Sequence, residues 1–148
     1  MTRRPGFTFV ELMISMLIVG LLSAVAVPKY IDFKRRANTT KVIGDIQVVR
    51  VAVMSFYADS SYFPAETGPG TVPPNLQKYL PIGFTFQRLA WTVDYQRWDA
   101  GGLGGADVLI GVTITTEDAM LGETTSRVLG NLPQVAASPS FTFMISGM

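Results

Sequence analysis

Glu11 is the only ionisable residue between Phe7 and Val27, and every neighbour for a full helical turn on either side is apolar or a small alcohol. A lone carboxylate in an apolar run costs free energy unless a cation or a set of donors meets it. The chemistry that this position calls for is ion pairing. A cut between Gly6 and Phe7 would create an α-amino group at the edge of the run, one turn from Glu11. That cation could pair with the carboxylate of its own or a neighbouring chain, removing an uncompensated charge and fixing the register between chains. Arg3 and Arg4 would leave with the leader, and the net charge of +1 would lose those two cations to become −1.

Other chemistry is sparse. The chain has no Cys and no His, which excludes disulfides, a thiol nucleophile, the usual zinc sites and imidazole acid–base catalysis. Asp94, Asp99 and Asp107 flank the glycine-rich stretch 99–106, and hard oxygen ligands suit calcium. Their spacing matches no calcium loop, so solvated turn residues are the preferred reading and no metal or other cofactor is expected. The stretch is not a phosphate loop either, because it lacks the lysine and the following serine or threonine. Trp91, Tyr95 and Trp98 could stack on single-stranded nucleic acid, but only Arg88 and Arg97 are basic nearby. Core and edge-strand packing is the better account, and nucleic acid is disfavoured as a partner.

The elements that position these residues follow from periodicity. At about 1.5 Å per residue, a helix over 7–28 spans roughly the hydrocarbon core of a bilayer. Gly20 and Pro28 both weaken its hydrogen-bond ladder, yet helical spacing resumes after the proline. Val42, Ile46, Val49, Val53 and Phe56 form one face of an amphipathic helix over 29–60, ending between Ala58 and Ser61. Lys34, Arg35, Arg36 and Lys41 follow the apolar run, placed to meet lipid headgroups, a neighbour's acids or solvent. Residues 62–74 are rich in Pro and Gly and read as an irregular connection. The segment Asn75–Pro81 predicts a short helical turn inserting Leu76, Tyr79 and Leu80. Strands are predicted over Leu89–Gln96, Val108–Thr115 and Phe141–Ile145. A short helix starting at Thr116–Asp118 is weakened by Gly122 and stopped by Gly130. The fold class is α+β: a long N-terminal helix, membrane half plus amphipathic half, packed on an antiparallel sheet of three or four strands, with the globular domain over 61–148.

The stretch Gly6-Phe7-Thr8-Phe9-Val10-Glu11-Leu12, after a short basic leader and before an apolar run, resembles the N-terminus of type IV pilins and type II secretion pseudopilins. The likeness is close over about thirty residues and architectural beyond them. Pro5 stands where that family more often has a basic residue. The resemblance implies a leader over 1–6, cleavage between Gly6 and Phe7 by a prepilin peptidase, and N-methylation of Phe7. It further implies a subunit held in the bacterial inner membrane, passed by an inner-membrane assembly platform into a helical filament of itself or other pilins, outside the cell or in the periplasm. Glu11 would set register within that filament. An aromatic-proline pair after the long helix, here Phe63-Pro64, is also a family habit.

The function expected is therefore a structural subunit of a type IV pilus-like filament, not an enzyme. The alternatives are a pseudopilin of a type II secretion system and a minor or DNA-uptake pilin. A secretory signal peptide ending at Ala24-Val25-Ala26 or an uncleaved anchor explains the length of the run but leaves Glu11 without a purpose. The pair Arg3-Arg4 is too little to mark a twin-arginine signal.

Overall fold

A stripe of branched side chains on the second half of the long helix decides where the core lies. The computed structural model describes residues 6–99, 108–130, 134–137 and 140–147. Helix α1 runs over Phe9–Ser60, 52 residues, with Gly20 and Pro28 inside it. Pro28 has no N–H, so the Ala24 carbonyl lacks its usual helical donor. The chain divides into two compact units, Met1–Ala37 and Asn38–Met148. In the first, every residue from 6 to 34 is exposed. This part of α1 contains an 18-residue window of mean hydropathy 2.4, none of it buried, long and apolar enough to cross a membrane.

In the second unit, Val42, Ile46, Val49, Val53 and Phe56 are all buried, as their spacing predicts, and Ala52 joins them. Opposite them stands a four-stranded antiparallel sheet in the order β1-β2-β4-β3, from β1 (Thr92–Asp99), β2 (Val108–Thr115), β3 (Gln134–Ala137) and β4 (Ser140–Gly147). Alternation puts one side chain in two on the core face. Register aligns them in rows: Val93 faces Ile114, which faces Phe141, and Tyr95 faces Val112, which faces Phe143. These six side chains share one core with the α1 stripe. Tyr95 is fully buried; burial pushes its hydroxyl up to about 12, and it donates to the Pro64 carbonyl at 3.3 Å.

The remaining elements close the edges of this core. Residues Pro74–Tyr79 form a 3₁₀ helix that buries Leu76, with Leu80 behind it and Tyr79 half-buried. Helix α2 (Ala119–Val128) starts where Asp118 caps it, its Oδ1 accepting from the amides of Met120 at 3.1 Å and Leu121 at 3.3 Å. Gly122 was expected only to weaken α2. It lies on the buried face, where a Cβ would overlap the Phe141 ring, so the glycine is what lets the helix approach β4.

Two strands depart from expectation. β1 begins three residues later than Leu89, because Arg88 N–H bonds the Trp91 carbonyl at 3.0 Å and turns the chain with Leu89 at the exposed tip. β3 had no forecast. Its four residues pair only with β4, and an edge strand so short gives little periodicity to read.

Candidate processing and assembly site

Helix α1 begins one residue after Thr8, and Thr8-Phe9-Val10-Glu11 has the spacing of a capping box. The structure closes that box. Glu11 Oε2 accepts from the Thr8 backbone N–H at 2.9 Å and from its hydroxyl at 2.8 Å, while the Glu11 amide donates to Thr8 Oγ1 at 3.3 Å. The carboxylate thus satisfies orphan donors of the first turn and lies at the positive end of the helix. It was expected to wait for an amine; it already has a local partner. Among the described residues its second oxygen, Oε1, takes no hydrogen bond.

Gly6, Phe7 and Thr8 precede the helix in irregular backbone, and Phe7 is 85% exposed. The Gly6–Phe7 peptide thus lies outside the helix, beside an exposed side chain. After a cut there, the new amine would sit on the residue next to the Thr8 amide that Glu11 accepts. One carboxylate oxygen is tied to its own helix start, which leaves the other with its acceptor capacity. Gly20 and Pro28 lie farther along the same exposed stretch, inside α1, with open space around the Gly20 Cα.

Sequence reasoning overlooked two features. The Thr-x-x-Glu spacing was legible and predicts the cap. The other is Asp45, a carboxylate within the apolar stripe, next to Ile46 and three residues after Val42. It is 8% exposed and accepts from Arg88 Nε at 3.1 Å, Arg88 Nη2 at 2.9 Å and Trp91 Nε1 at 3.1 Å. A charge at stripe spacing is the signal that it needs a partner.

Of the candidate metal carboxylates, Asp107 lies outside the described residues, as does the Asp99 side chain. Asp94 is buried, its Oδ2 accepting from Gln96 Nε2 at 3.1 Å while Oδ1 has no partner. Among the described residues no three acidic side chains gather. Trp91 and Tyr95 are buried in the core, and Trp98 is 37% exposed, packed over Gly111 on the outer face.

Residues 1–27 match the family described as the prokaryotic N-terminal methylation motif. The chain is 30% identical, over 73% of its length and 84% of the relative's, to the type II secretion system core protein G of Klebsiella pneumoniae. It is 30% identical to the protein of the same name from Vibrio cholerae over 88% of this chain and 93% of that one. To fimbrial protein Q of Moraxella bovis it is 37% identical over 45% of this chain and 40% of that protein. No solved structure matches.

Proposed function

The chain belongs to the family of type IV pilins and type II secretion pseudopilins, and from that premise we propose that it is a filament subunit matured by cleavage between Gly6 and Phe7 and methylation of Phe7. Its apolar residues 7–28 hold it in the inner membrane until an assembly platform passes it into the filament. There, apolar helices bury among one another the surface that lipid had covered, and a contact repeated by one rotation and rise generates an open helix.

The observation that carries this reading is the half-used carboxylate of Glu11. Capped through Oε2 and without a hydrogen bond at Oε1, it would receive the Phe7 amine of an adjacent subunit without losing its own helix start. Matches to secretion core protein G run over 70–88% of the chain, against 45–57% for the fimbrial proteins, which supports a secretion pseudopilus as the assembly. Gly20 and Pro28 would be the places where the helix loosens on assembly.

Two measurements test this. Mass spectrometry of the native protein should find a methylated N-terminal Phe7; an intact Met1 or a start at Val27 would overturn the maturation step. Glu11→Ala should leave the membrane-held subunit abundant while filament yield drops at least tenfold, and normal filaments would rule out the register role.

A further inference from the structure

The last helical turns of the exposed unit, residues 29–36, carry four cations, Lys29, Lys34, Arg35 and Arg36, against one acid, Asp32. Asp32 is 3.8 Å from Arg35 and leaves the excess positive. Interleaved with them are Tyr30, Ile31 and Phe33, 68%, 44% and 74% exposed. The next residue to be buried is Thr39.

The arrangement of these charges identifies the surface that they fit. At 3.6 residues per turn, the four cations fall at roughly 0°, 140°, 240° and 340° about the helix axis, and they rise by about 10 Å. They encircle α1. A protein partner with an acidic patch approaches from one side and needs a stripe. A layer of lipid headgroups surrounds a spanning helix and can be met from opposite sides, and that layer is about 5–8 Å deep on each face of the bilayer. These cations also follow directly on the apolar run that ends at Val27, so a helix embedded through 7–28 brings them to headgroup depth. Tyr30 and Phe33 then lie at the boundary of hydrocarbon and headgroup, with the exposed Lys29 and Lys34 side chains long enough to reach phosphate.

We infer that residues 29–36 form a collar that binds anionic phospholipid headgroups while the subunit is in the membrane. This rests on the membrane-held stage of the proposed function and adds a lipid preference to it. The collar holds the apolar helix at a fixed depth, and extraction into a filament must strip those headgroups away.

The test uses the full chain in two kinds of vesicle, pure phosphatidylcholine and phosphatidylcholine with 30% phosphatidylglycerol. Flotation with the neutral vesicles reports membrane anchoring alone. Electron spin resonance of spin-labelled phosphatidylglycerol and phosphatidylcholine then reports which lipid contacts the helix. The expected result is flotation with both vesicles, and an association constant for phosphatidylglycerol about fivefold or more above that for phosphatidylcholine at low salt. That preference should fall steeply at 0.5 M salt. Lys29→Gln/Lys34→Gln, at two exposed positions, should lose at least half of the preference and still float, whereas Lys78→Gln/Arg127→Gln should keep it. Flotation without any lipid preference overturns the collar and leaves anchoring intact; no flotation overturns the anchoring itself. A collar variant that keeps its lipid preference but loses filament yield assigns the cations to a neighbouring subunit and overturns the proposal.

Discussion

Replacing Asp45 by alanine removes the acceptor for three hydrogen bonds at once, and the structure sets the size of the loss. Trp91 is 7% exposed, so its indole N–H would lose its acceptor where water has little access, at about 1–3 kcal/mol. The Arg88 side chain is 34% exposed and can turn to solvent, so its two bonds at 2.9 and 3.1 Å contribute less than a fully buried pair; about 1 kcal/mol is a fair share. The expected loss is about 2–4 kcal/mol. For a unit near 110 residues that is a melting-temperature drop of roughly 8–20 °C. Trp91 is itself part of the network, so intrinsic tryptophan fluorescence during thermal or urea unfolding of the detergent-solubilised chain reports the event directly. Arg88→Ala should cost less than Asp45→Ala, because it leaves the tryptophan bond in place, and the double variant should cost less than the two single losses added. A loss below about 0.5 kcal/mol for Asp45→Ala, or strict additivity in the double variant, would refute this account.

Two further substitutions separate competing effects. Gly122→Ala gains about 1 kcal/mol of helix propensity but drives a methyl into the Phe141 ring, and overpacking of about 1–3 kcal/mol or more should win. Urea unfolding should show a net loss near 2 kcal/mol, partly restored by Phe141→Leu in the same chain. At Asp94, burial pushes the carboxyl above its ordinary value of 3.8; the Gln96 hydrogen bond opposes this and the Glu66 charge adds to it. With the folded value raised, this group's contribution to stability is fully present below pH 3.8 and is lost as pH rises through the folded value, because the unfolded chain releases its proton first. Asp94→Asn should therefore be more stable than the parent at pH 7 by about 1 kcal/mol, and the gain should vanish near pH 3. A gain that grew on acidification would contradict the sign.

Elements with strong local patterns could be read directly from the residues. The stripe from Val42 to Phe56 needs only 3.6-residue spacing, and β2 is an eight-residue β-branched run whose ends match its prediction. β1 slipped by three residues because the turn at 88–91 is fixed by a backbone bond and by Trp91 reaching Asp45, both of them tertiary facts. β3 is held by pairing with β4 and has no pattern of its own. At the N-terminus the residue types of Gly6, Phe7 and Glu11 were sufficient to propose a site. The partner of Glu11 was also encoded, in Thr8, by a Thr-x-x-Glu spacing that specifies a local cap three residues away. For Asp45, sequence shows that a charge lies on a buried face; only folding shows which of the distant donors answers it.

The free edge of β1 has a consequence for life in a filament. Val93 spends both of its outward backbone groups there: its N–H bonds the Phe86 carbonyl at 2.8 Å, and its C=O accepts from Gly70 N–H at 2.9 Å. Gly70 comes this close with φ +76, and a Cβ on it would press on Gln87 and Thr92. Identical domains crowded along a fibre are each other's nearest strangers, and an unpaired strand in that crowd is an invitation to zip into a neighbour's sheet. The loop that runs past Gly70 seals part of that seam from within the same chain. Each bond made there within the chain is one that a neighbour's strand can no longer make.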